Sequence, residues 1–127
     1  MDGSKAGQVK IEKIFDIKQR TFRFGVRIVK LVGKLPRTVA GIEVGRQLVR
    51  AGTSVGSNTE EAVVGVSRKD FVNHIRIARK EAKESRYWLN MIAAAGLLDD
   101  PEIGALTAEA GELVRILSGI VTSATKD

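Results

Sequence analysis

Four stretches of the chain place apolar residues at three- and four-residue steps, the spacing that gathers side chains on one face of an α-helix. In the first, over 17–35, Phe24, Ile28, Leu31, Val32 and Leu35 form the stripe. Pro36 predicts its end, because the residue before a proline is pushed out of the α region. Residues 1–15 show no clear period until Ile11, Ile14 and Phe15, and read as a loose N-terminal arm that docks near its end.

A second helix over 39–65 is predicted behind a Thr38 cap, with Gly41, Gly45, Leu48, Gly52, Val55, Thr59, Ala62 and Val66 on one stripe. Each interior glycine costs about 1 kcal/mol relative to alanine. Either the glycines admit a neighbouring helix at close range, or the segment 52–56 bends.

Ser67, with Asp70 three residues on, resembles a capping box that opens a third helix over 68–95. Its seam is the clearest in the chain: Phe71, Ile75, Ala78, Ala82, Ser85, Leu89 and Ile92, stopped by Gly96. Asp99-Asp100-Pro101-Glu102 then supplies a cap, a first-turn proline and an acid favoured by the helix dipole. The fourth helix, over 101–124, carries Ile103, Leu106, Ala110, Leu113, Leu117, Ile120 and Ala124. No alternating strand pattern occurs, and the short connections favour antiparallel neighbours. The expected fold is all-α, an antiparallel up-down four-helix bundle filling one domain over 16–127.

Composition narrows the chemistry. The 127 residues contain no cysteine, which excludes disulfides, thiolate metal sites and a cysteine nucleophile. The longest uncharged stretches, 87–98 and 116–125, fall well short of the roughly 20 apolar residues of a membrane span. The first residues lack an apolar signal segment, so a cytoplasmic protein without membrane contact is expected. Net charge is +6, unevenly distributed: +8 over residues 1–50, +2 over 51–94 and −4 over 95–127. Such asymmetry predicts a positive surface that attracts polyanions and a negative one that attracts the basic side of another copy.

On the first helix Arg20, Arg23, Arg27, Lys30 and Lys34 recur on one face, with Arg37 just beyond and no acid between Lys18 and Glu43. This ridge spans about 20 Å at a rise of roughly 1.5 Å per residue. Cations hold phosphate oxygens irrespective of base, so the ridge suits the backbone of RNA or DNA. The other reading is a solvated face, although such faces usually mix signs. Lys69, Arg76, Lys80 and Lys83 form a second exposed line on the third helix, with Arg79 and Arg86 beside it. There Glu81 and Glu84 interrupt the field.

Glu60, Glu61, Glu81 and Glu84 invite comparison with di-iron bundles, which need Glu-x-x-His pairs on two helices. His74 is the sole histidine and has Phe71 three residues before it, so neither metal nor cofactor is expected. The acids are expected to pair with Arg50, Arg79, Lys80 or Arg86, within a subunit or across a boundary. Gln47, Ser54 and Asn58 are expected to hydrogen-bond across the bundle or to line a subunit contact, and they lack a base for catalysis. Tyr87 and Trp88 point about 100° apart on a helix, and Trp88 with Met91 makes a second apolar line. That line packs either within the bundle or against another subunit.

The run Gln47-Leu48-Val49-Arg50-Ala51-Gly52-Thr53-Ser54-Val55-Gly56-Ser57-Asn58-Thr59-Glu60-Glu61-Ala62 resembles the family described as four helix bundle proteins. So does the later set Ser67, Phe71, Glu81-Ala82, Glu84 and Tyr87-Trp88-Leu89. That family includes proteins encoded by intervening sequences within bacterial 23S ribosomal RNA genes. It is structurally related to the accessory variability determinants of diversity-generating retroelements. Ser57 and Thr59 depart from the small apolar and aromatic residues of the family pattern. The resemblance implies a ring-like homopentamer without enzymatic activity. Its accessory relatives imply a basic exterior for nucleic acid and a reverse transcriptase as the kind of protein partner. The expectation is therefore a non-enzymatic oligomer that binds RNA or DNA backbone through the basic face of the first helix. The alternative is a scaffold or protein-interaction module with an acidic protein partner and no nucleic-acid role.

Overall fold

The computed structural model describes residues 3–65 and 67–126, with side chains from Lys13 onward. Four helices account for nearly all of it: α1 (Gly3–Val32), α2 (Val39–Val64), α3 (Arg68–Ala95) and α4 (Pro101–Thr125), with no strand among the described residues. Each helix packs on the one before it, and α4 returns to α1. A Cβ placed on Gly56 would meet Thr21, one on Gly52 would meet Ile28, and one on Gly45 would meet Val32 and Leu35, so α1 and α2 run antiparallel. Arg20 opposite Glu109 and Arg27 opposite Glu102 make α1 and α4 antiparallel too.

Local chemistry sets most helix ends. Thr38 Oγ1 accepts from the Gly41 amide at 3.1 Å, and Ser67 Oγ from the Asp70 amide at 3.1 Å. Asp100 Oδ1 accepts from the Glu102 amide at 2.9 Å, with Pro101 in the first turn. Gly96, at φ 65°, takes the left-handed conformation that closes α3, and the Leu97 amide reaches back to the Ile92 carbonyl at 3.1 Å.

Two ends differ from expectation. α1 begins at Gly3, so residues 3–15, read as a loose arm, continue the helix; no proline interrupts the chain between residues 3 and 32. Ile14 is half-buried and Phe15 exposed, so Phe15 does not dock on the core. The same helix stops at Val32 rather than at Leu35, where the last turn tightens: the Lys34 and Leu35 amides donate three residues back, to Leu31 and Val32.

The predicted seams line the core. Phe24, Ile28, Leu31, Leu48, Val55, Ile75, Leu89, Ile92, Leu106, Leu113 and Leu117 are buried together. Val72 is buried at the start of α3, with Phe71 half-buried beside it. Near the end of α4 Val121 is buried and Ile120 only half-buried, because a 3.6-residue turn drifts about 20° per heptad against a strict seven-residue repeat. Val66 lies outside the described residues.

α2 is one uninterrupted helix, so its glycines serve close approach. A Cβ on Gly52 would stand 2.7 Å from Ile28 Cγ2, and one on Gly25 would stand 3.6 Å from the Gly52 carbonyl oxygen. Among the described residues three hydroxyl side chains are buried, and each finds a carbonyl on its own helix: Thr21 to Ile17, Thr59 to Val55 and Ser85 to Glu81, at 2.8–2.9 Å. Thr59 thus lies in the core without an unmet hydrogen bond.

Candidate nucleic-acid interface

The basic ridge of α1 divides in two. Its members at seven-residue spacing turn toward α4 and meet the acids of the negative C-terminal third. Arg20 Nε and Nη2 donate to both carboxylate oxygens of Glu109 at 2.7 and 2.8 Å. Arg27 grips Glu102 the same way at 2.8 and 2.9 Å. Just past the helix, Lys34 Nζ donates to Asp100 Oδ2 at 2.9 Å. Planar guanidinium and planar carboxylate match in two parallel bonds, which fixes geometry as well as charge.

The pairing shifts four of these groups. The hydrogen bond to Glu109 raises the Arg20 pKa, and that to Glu102 raises Arg27. Glu102 is held below its ordinary carboxylate value, first by the Arg27 bond. Asp100 is held low first by the Glu102 amide and then by Lys34. Of the six ridge cations expected to face a ligand, Arg20, Arg27 and Lys34 have their charges met within the chain. Which helix would stand beside α1 is not encoded in α1 itself. Arg23, Lys30 and Arg37 remain exposed and join no ion pair among the described residues.

A second basic surface lies on the outer side of α3. Arg76, Lys80, Lys83 and Tyr87 follow one another in steps of four, three and four, opposite the buried seam of Ile75, Ala78, Ala82 and Leu89. With Arg79, Glu84 and Trp88 they line a shallow groove, in which four cations face one acid. Arg79 belongs to this groove although the sequence pattern set it beside the main line.

Within the chain none of these cations pairs with Glu81 or Glu84 among the described residues, which leaves the expected pairing across a subunit boundary. Lys80 and Glu84 stand at i and i+4 with the base N-terminal to the acid, the weaker order for a helical pair. Glu61, also expected to pair, is exposed, while Glu60 meets Lys18 at 3.3 Å.

Tyr87 is 56% exposed and meets Trp88 edge-to-face, with ring centroids 5.0 Å apart and planes at 86°. Trp88 is half-buried against the core, and its indole Nε1 is a buried donor with no acceptor among the described residues.

The polar residues of α2 stay on their own helix rather than bridging the bundle. Asn58 Nδ2 donates to the Ser54 carbonyl and hydroxyl at 2.9 and 3.1 Å, and Gln47 Oε1 accepts from Arg50 at 2.8 Å. Steps of three and four along one helix bring these groups together before any neighbour can. His74 Nδ1 stands 2.9 Å from the Asp70 carbonyl oxygen. No cluster of three His, Asp or Glu side chains suits a metal among the described residues, and no described helix is long and apolar enough to cross a membrane.

One surface went unread in the sequence. Phe15, Phe22, Val26 and Val29 follow steps of seven, four and three on α1 and are all exposed, Phe22 by 70%. The spacing was available, but it runs beside the stronger core stripe.

A crystal structure of a protein of unknown function from the S23 ribosomal protein family of Bacteroides thetaiotaomicron matches the chain with a TM-score of 0.80 and 32% identity. The match covers 87% of this chain and 98% of that one. No curated protein matches. The family model for the 23S rRNA-intervening sequence protein matches residues 13–119. Because that match enters all four helices, the chain belongs to the 23S rRNA-intervening sequence protein family.

Proposed function

We propose that this protein is a non-enzymatic, homo-oligomeric four-helix bundle that holds the phosphate backbone of nucleic acid on the outer face of α3. Arg23 and Lys30 on α1 and Arg37 in the α1–α2 connection, at the opposite corner of the bundle, offer a second, separate contact. The observation that carries the reading is the α3 groove, where Arg76, Arg79, Lys80 and Lys83 gather around a single acid, Glu84. A cation whose charge is not met within the chain releases counterions when it meets a phosphate; a paired one has first to break its own bond. The family's name, tied to a sequence within 23S rRNA, makes RNA the first ligand to try. The pentameric ring implied by the family resemblance is part of the proposal, and the exposed apolar line on α1 supplies a surface that assembly would cover.

The test compares RNA binding across a salt series for wild type and three triple variants. Neutralising Arg76, Lys80 and Lys83 to Gln should weaken binding and flatten the dependence on salt by roughly 0.7–0.9 per lost phosphate contact. Neutralising Arg23, Lys30 and Arg37 should have a smaller effect of the same kind. Neutralising Arg20, Arg27 and Lys34 should leave affinity nearly unchanged. Equal affinity and slope for wild type and the α3 variant would overturn the assignment, and a protein retained from lysate after nuclease would point to the scaffold instead.

A further inference from the structure

We infer that the α3 groove selects a single strand over a duplex, with one unpaired base stacked on Tyr87 and the adjoining phosphates drawn along Arg76, Lys80 and Lys83. This rests on the phosphate-binding role of α3 and adds the class of nucleic acid. Arg76 and Tyr87 lie about 16 Å apart along the helix at roughly 1.5 Å per residue, so cations and ring follow one line of several nucleotides.

The ring is prepared for stacking. Tyr87 is 56% exposed, yet it does not hang free, because its contact with Trp88 is edge-to-face and Trp88 is seated on the core. An edge-to-face pair engages at most one face of the tyrosine, and the other stays open. A tyrosine already held by its neighbour loses little freedom when a base covers it. In a duplex the bases are stacked on one another, so the ring has nothing to gain there and only the cations act. A single strand offers both a phosphate row and open base faces, the combination that stacking platforms in charged grooves accept without regard to sequence.

The experiment measures binding of a fluorescent 15-nucleotide oligouridylate and of an RNA duplex of equal length to the intact protein. Variants are Tyr87→Ala, Tyr87→Phe and the triple Gln variant of Arg76, Lys80 and Lys83. Tyr87 is exposed, so neither single substitution empties the core. Tyr87→Ala should weaken oligouridylate binding by roughly tenfold, within the range measured for one base–aromatic stack, and leave duplex binding unchanged. Tyr87→Phe should bind like wild type. Emission from Trp88, the only tryptophan, should change when oligouridylate binds and not when the duplex binds.

Equal effects of Tyr87→Ala on both ligands, or none on either, would overturn the stacking role while phosphate binding stands. An unchanged affinity in the triple variant would remove phosphate binding from α3 and the stacking inference with it.

Discussion

Gly52 and Gly119 show why a glycine inside a helix has no fixed meaning. Both sit in the interior of long helices, where replacement by alanine gains about 1 kcal/mol of helix propensity. At Gly119 the added methyl group meets nothing within 4 Å, so Gly119→Ala should stabilise the bundle by about that amount. At Gly52 it would come 2.7 Å from Cγ2 of Ile28, a fully buried side chain branched at Cβ, which has no room to withdraw. Overpacking of this kind costs about 1–3 kcal/mol, so Gly52→Ala should show a net loss of about 1 kcal/mol. Chemical denaturation of the two variants should therefore move in opposite directions; a stabilised Gly52→Ala would mean that α1 and α2 do not approach as closely as described.

The helices themselves were largely legible from the chain, because caps and seams are local. Ser67 with Asp70, Thr38, Gly96 and the Asp100-Pro101 turn act within one helical turn, and a seven-residue repeat needs no knowledge of the partner it will meet. What could not be read was adjacency. The bonds from α1 and the turn after it to α4 and its cap join residues 66, 75 and 89 positions apart, and nothing within α1 distinguishes Arg27 from Arg23 before α4 is in place. The long helical start of α1 went unread for a related reason, since residues 1–10 carry little of the apolar period on which the reading relied.

The pairs between α1 and α4 also set a pH response. Glu102 has a folded pKa below its ordinary 4.5, so the stability it contributes is present above that value and is lost as pH falls through the lowered one. The pair is partly exposed, which limits it to about 0.5–1 kcal/mol. Glu102→Gln should be less stable than wild type by about this much at neutral pH, and the difference should shrink as pH falls below the ordinary 4.5 and the wild-type carboxylate takes up its proton. A pH-independent difference in denaturation midpoints would show that the change acts through packing or the α4 first turn instead.

Once the four helices have closed, one line of large apolar side chains still faces outward. Phe15, Phe22, Val26 and Val29 of α1 satisfy no demand of the bundle that carries them, and such a line is the usual mark of a contact surface. Light scattering of the wild type should give a mass several times 13.8 kDa. Phe22→Glu combined with Val29→Glu should lower that mass to a single chain while far-ultraviolet circular dichroism stays helical, because neither side chain belongs to the core. A wild-type protein that runs as a monomer at micromolar concentration, or a double variant of unchanged mass, would leave this surface without a role in assembly.

The ion pairs between α1 and α4 shape how the molecule is approached from solution. Opposite charges within 3 Å of each other cancel at distances beyond their own separation, and at physiological salt a field already fades over about 8 Å. A polyanion diffusing in is therefore pulled little by the α1–α4 edge, although that edge is rich in arginine. The cations not met within the chain, on the outer face of α3 and at Arg23, Lys30 and Arg37, dominate the longer-range attraction. Early encounters are thereby turned toward those two faces, at opposite corners of the bundle, and away from the α1–α4 edge before any contact is made.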